Sequence, residues 1–65
     1  MDVLLNGECQ PIDPSSTLAE LIARLYGEQT VAVALNGRFV AREQRQETFL
    51  AEGDELEILS PRQGG

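Results

Sequence analysis

Cys9 is the only thiol in the chain, and no histidine is present to act as its base. No basic residue is adjacent in sequence to lower its pKa, so a nucleophilic role lacks its usual supports. The expectation is a structural or half-buried cysteine. Glu52, Asp54, Glu55 and Glu57 gather around one turn. Hard cations take such oxygens, but the spacing is not that of a twelve-residue calcium loop, and a solvated, charged strand face is the better reading. Arg42 and Arg45 stand in the polar run REQRQE. They either grip an anion or solvate a loop. Gly7, Gly37 and Gly53 are isolated, so no phosphate-cradling glycine loop precedes a helix. These side chains assemble no catalytic set, and catalysis by the chain itself is not expected.

The end of the sequence offers different chemistry. Residues 60–65 read SPRQGG, with no apolar side chain of core type. Gly64 and Gly65 lack Cβ atoms, so such an end can pass through a narrow channel with backbone as its only bulk. Its carboxylate is the least hindered a peptide can offer. Six extended residues reach roughly 20 Å, enough to enter a partner's active site while the domain docks outside. The competing reading is a frayed terminus.

The rest of the chain must position that end. At 65 residues and 42% hydrophobic it is one small globular domain. A chain of this length buries only about 60% of its unfolded surface, so the core is thin. One cysteine excludes a disulfide framework, and the missing cysteine and histidine ligands exclude a zinc finger or ribbon. The net charge is −6, all five basic residues are Arg, and Lys is absent. Without a basic stripe, nucleic-acid binding is not expected. No run of about 18 apolar residues spans a membrane. The opening MDVLLNGE lacks the form of a signal peptide. A cytoplasmic protein is the expectation.

Met1 to Asn6 reads as a strand, Asn6-Gly7 as a hairpin turn, and Glu8 to about Ile12 as the returning strand. Pro11 lacks an N–H and places that strand at a sheet edge. After the loop Asp13-Pro14-Ser15-Ser16, Thr17 and Glu20 form a capping-box pattern. Leu18, Leu21, Ile22 and Leu25 then make one apolar helix face, with Glu20 and Arg24 paired on another. Gly27 sits where a left-handed residue would stop the helix. Val31 to Leu35 reads as a strand covered on at least one face, Asn36-Gly37 as a second turn, and Arg38 to Ala41 as a short return. Arg42 to Glu47 is read as exposed, and Thr48 to Leu50 brings apolar groups back toward the core. Glu52-Gly53-Asp54 is a turn, and Leu56 and Ile58 share one face of a last strand over Glu55 to Leu59. The simplest packing lays the helix across one mixed sheet. The first and last strands could pair in parallel through the long crossover, although such short strands leave several topologies open.

The arrangement resembles the ubiquitin-like β-grasp proteins, and specifically the ThiS sulfur carriers of thiamine biosynthesis. The resemblance rests on Val3-Leu4-Leu5-Asn6-Gly7, Thr17-Leu18-x-Glu20-Leu21-Ile22, Val31-Ala32-Val33-Ala34-Leu35-Asn36-Gly37, Glu52-Gly53-Asp54 and Gly64-Gly65. It covers nearly the whole chain. It implies an α+β fold, with a mixed four- to five-stranded sheet, one helix across one face, a domain over 1–59 and a flexible tail over 60–65. It implies a carrier and co-substrate, not an enzyme. In such carriers an E1-like adenylyltransferase of the ThiF type uses ATP and Mg²⁺ to activate the terminal carboxylate. A sulfurtransferase or cysteine desulfurase supplies a persulfide, and the resulting thiocarboxylate donates sulfur to a ThiG-type thiazole synthase. Carried over, Gly65 would be the modified residue, with Gly64, Gln63 and Arg62 in the partner's channel. No cofactor is expected on the chain itself. Leu4 and Leu59 are candidate docking positions on the helix-free sheet face, either exposed as a patch or covered by neighbours. Molybdopterin synthase small subunits share the fold and the Gly-Gly end, and remain an alternative. So do a ubiquitin-like tag and a plain binding module.

Overall fold

The structure is a computed structural model that describes residues 1–60. In chain order it forms β1 (Asp2–Leu5), β2 (Glu8–Pro11), α1 (Leu18–Tyr26), β3 (Ala32–Leu35), β4 (Arg38–Phe39), a 3-10 helix (Arg42–Glu47) and β5 (Glu55–Leu59). The strands make one five-stranded sheet in the order β2-β1-β5-β3-β4. β1 and β5 pair in parallel, and the other pairs are antiparallel. The topology left open by the sequence is therefore settled: β5 is the central strand, and α1 crosses one face. This is the mixed-sheet β-grasp arrangement.

Strand alternation explains which face is covered. Val3, Val33, Leu56 and Ile58 point to one side and are buried with Leu18, Leu21 and Ile22 of α1. Ile12, Val31, Val40 and Leu50 close the edges of this core. The turn chemistry also follows from residue type. Asn6 and Gly7 have φ of 51° and 85°, and Asn36 and Gly37 have 50° and 85°. Both central positions of a type I′ turn require such positive values. Pro11 lies on edge strand β2, where no ladder bond needs its missing N–H.

The helix begins as its capping box dictates. The Thr17 hydroxyl accepts from the Glu20 N–H at 3.2 Å, and the Thr17 N–H donates to the Glu20 carboxylate at 2.8 Å. That carboxylate is thereby drawn to the cap, while the Arg24 guanidinium donates to the Pro11 carbonyl at 3.0 Å. These bonds take the place of the expected Glu20–Arg24 pair. Gly27 ends the helix with φ 62° and ψ −123°. The sign of φ is as expected, but ψ lies outside the left-handed helical region. Leu25 is exposed, so the apolar face is narrower than its spacing predicts.

Three further differences have local causes. Arg45 is only 9% exposed, because its Nη2 donates to the Val31 carbonyl at 2.7 Å just before β3 begins. The 3-10 segment is therefore not exposed throughout. Phe49 is 65% exposed while Leu50 is buried. The segment pairs with Ser16–Leu18 in extended form, so successive side chains take opposite sides. β4 ends at Phe39, because Ala41 already starts the 3-10 helix. No helix among the described residues is long and apolar enough to cross a membrane.

Candidate functional site

Gly65, Gly64, Gln63 and Arg62, the residues singled out for chemistry, lie outside the described residues. The structure does describe the strand that leads to them. β5 ends at Leu59, and it has a hydrogen-bonded strand on each side. Ser60, the last described residue, thus leaves the middle of the sheet.

Leu4 and Leu59 both fall on the face opposite α1. Leu4 is 39% exposed and Leu59 is 70% exposed. Of the two readings weighed for them, exposure is the one observed. Phe39 joins this face at 71% exposed and had been assigned no role. Its register partner is Ala34, whose neighbour in β5 is Glu57. Leu59 lies opposite Ala32, while Leu4 lies opposite Glu55. The face therefore has two apolar ends, Leu4 on one and Leu59 with Phe39 on the other, separated by Glu55 and Glu57. The signal that could have found Phe39 was available. In a short strand with the apolar Val40 turned to the core, alternation turns Phe39 to the other side.

Cys9 lies opposite Leu4 on edge strand β2 and is exposed, not half-buried as expected. Desolvation by its neighbours pushes its thiol pKa up, and the nearby Asp2 carboxylate adds to this by charge and hydrogen bonding, with Glu52 contributing. A thiol shifted upward is a poorer nucleophile near neutral pH. The acids around residues 52–54 do structural service. The Glu52 carboxylate accepts from the Asp2 N–H at 2.9 Å. Asp54 accepts from the Ala51 N–H at 2.8 Å and from the Asn36 amide at 3.1 Å. Glu55 and Glu57 form the charged strand face that the sequence suggests.

The asparagines of both turns reach β5. Asn6 Oδ1 accepts from the Ile58 N–H at 2.9 Å, and its Nδ2 donates to the Ile58 carbonyl at 3.4 Å. Asn36 Oδ1 accepts from the Glu55 N–H at 2.9 Å. The sequence reading saw only turn formers here.

This sheet order and open face can be compared with known proteins. The sequence pattern of the ThiS family matches residues 3–65. The chain belongs to the ThiS family. The match runs through Gly64 and Gly65. No curated protein matches it. Among solved structures it is similar to the crystal structure of the thiamine biosynthesis protein ThiS from Geobacter metallireducens. The TM-score is 0.81 at 33% identity, covering 92% of this chain and 93% of that one. The solution structure of a thiamine biosynthesis protein from the same organism gives a TM-score of 0.76 at 33% identity. There the coverage is 91% of this chain and 81% of that one. As a ThiS-family member the chain shares their ubiquitin-like β-grasp fold.

Proposed function

We propose that the chain is a sulfur carrier of thiamine biosynthesis whose reactive group is the Gly65 carboxylate. The observation that carries this is the ThiS-family match extending to residue 65. The paucity of catalytic side chains supports it, since the partners would supply the catalytic machinery.

A carboxylate is a poor electrophile at neutral pH. In the proposed sequence a Gly65 carboxylate oxygen attacks the α-phosphorus of ATP at the partner adenylyltransferase. Pyrophosphate leaves and an acyl-adenylate remains. The terminal sulfur of an enzyme persulfide, formed by a sulfurtransferase or cysteine desulfurase, then attacks the acyl carbon. AMP leaves with the bonding electron pair, giving an acyl disulfide. A partner thiol attacks the outer sulfur of that disulfide. The thiol is oxidised to a new disulfide, and the acyl sulfur is released as the thiocarboxylate. Thiazole synthase is the proposed acceptor of that sulfur. ATP and Mg²⁺ belong to the adenylating partner.

This chain's own contribution is presentation. The exposed Leu4, Leu59 and Phe39 offer apolar contact on the face opposite α1. The net charge of −6 favours a basic docking surface and a salt-sensitive encounter. Gly64, Gln63 and Arg62 would occupy the partner's channel.

The test is intact mass spectrometry after incubation with the cognate adenylyltransferase, ATP and a persulfide source. The expected product has one Gly65 oxygen replaced by sulfur. An unchanged mass with a partner shown to be active would refute the carrier reading. Adducts to lysines of other proteins would favour a protein tag instead.

A further inference from the structure

The central strand has an unequal hydrogen-bonding situation along its two sides. On the β1 side, the backbone groups of Asp54, Leu56 and Ile58 face the neighbour. The Leu4 N–H donates to the Asp54 carbonyl, and the Asn6 N–H donates to the Leu56 carbonyl, both at 2.8 Å. The next rung belongs to Ile58. β1 cannot supply it, because Asn6 and Gly7 turn the chain away into β2. An unmet backbone N–H or carbonyl at a partly buried position is costly.

The Asn6 side chain fills that rung. Its carboxamide accepts from the Ile58 N–H and donates to the Ile58 carbonyl, as a peptide unit of a neighbouring strand would. Asn36 does a different job at the other end. Its backbone N–H donates to the Glu55 carbonyl at 2.7 Å, and its side chain takes the Glu55 N–H. Asn36 therefore holds the start of β5. Asn6 holds its end, two residues before the segment that carries Gly65.

We propose that Asn6 is a positioning residue for the reaction of Gly65, acting through Ile58. The inference rests on the sulfur-carrier reading. With Asn6 in place, the end of β5 is held on both sides, by the carboxamide on one and by Val33 and Ala32 of β3 on the other. Without it only β3 remains, and the root of the tail gains freedom. A less firmly held root presents the reacting group in the productive geometry less often. Leu4 and Phe39 are untouched and Leu59 keeps its pairing with Ala32 of β3, so the loss falls on turnover more than on binding.

Asn6→Gly and Asn36→Gly make a matched pair. Both sites have nearly the same positive φ, which glycine adopts without strain. Each substitution removes one carboxamide from β5. Pyrophosphate release with the cognate adenylyltransferase gives kcat and KM, and amide hydrogen exchange reads the Ile58 N–H. Asn6→Gly should lower kcat about tenfold with KM within about twofold, whereas Asn36→Gly should leave both within about twofold, as expected when only reactant placement is lost. Exchange at Ile58 should rise in Asn6→Gly alone. Asn6→Asp retains the acceptor for the Ile58 N–H and should give an intermediate kcat, which tests the idea should the glycine variant fold poorly. Equal losses in the two glycine variants, or an unchanged kcat alongside faster Ile58 exchange, would overturn the inference and leave the carrier reading intact. A wild-type chain that forms no adenylate overturns the carrier reading, and the inference with it.

Discussion

Arg45 carries a guanidinium into the edge of the core. Its Nη2 meets the Val31 carbonyl, while its buried Nε meets no partner among the described residues. Taking a cation out of water costs several kcal/mol in real proteins, and one hydrogen bond from a charged donor returns only about 1.5–3 kcal/mol. Arg45→Met keeps most of the side-chain volume and removes the charge. We expect it to cost less than about 1 kcal/mol, or to stabilise the fold, because relief of desolvation offsets the orphaned carbonyl. Urea unfolding measures this, and a loss above about 2 kcal/mol would contradict it. The burial of Arg45 was not legible in the sequence. REQRQE has no apolar stripe to say which side faces inward, and a 3-10 turn repeats every third residue instead of every 3.6. Cys9 was misjudged for a similar reason. Its neighbours Glu8 and Gln10 are polar, and nothing in that run fixes which face of the edge strand lacks a helix.

Elements with local signals were read most directly. The capping box needs only Thr17 and Glu20, three residues apart, and both of its bonds form. Thr17→Ala removes the acceptor for the Glu20 N–H and should destabilise the domain by about 1 kcal/mol. Chemical denaturation should show a lower midpoint with an unchanged slope. No change in midpoint would mean that Glu20 holds the helix start alone. Both Asn-Gly turns were equally legible, since their backbone geometry depends on two adjacent residues. Their grip on β5 was not. Asn6 and Ile58 are 52 residues apart, and the turn already accounts for an asparagine at that place. The extent of β4 was overestimated because Arg38 to Ala41 carries no stop signal. Its end is imposed by the 3-10 helix that follows.

At the scale of the whole molecule, the proposed docking depends on the face that the helix leaves open. Phe39 and Leu59 are both about 70% exposed, so their removal costs the fold little. Their burial against a partner would contribute roughly 1.5–3 kcal/mol each. The double substitution Phe39→Ser with Leu59→Ser should therefore weaken binding to the proposed adenylating partner by at least about tenfold, or 1.4 kcal/mol. Cooperative thermal unfolding should persist. Calorimetric titration distinguishes the outcomes, and unchanged affinity would place docking elsewhere. The parallel partnership of β1 and β5 was foreseen as one topology among several. The sequence could not choose, because a strand of four or five residues holds too little pattern to name its neighbours. That partnership has a consequence for how the chain comes to exist. β5 follows every other element in order of synthesis, yet it joins β1 to β3 at the centre of the sheet. Until it emerges from the ribosome, the two hairpins have no strand between them, and the long-range pairing that dominates this topology cannot begin. The sheet cannot close before β5 has been made, so a nascent chain that stops short of β5 has no completed sheet to present the proposed docking face.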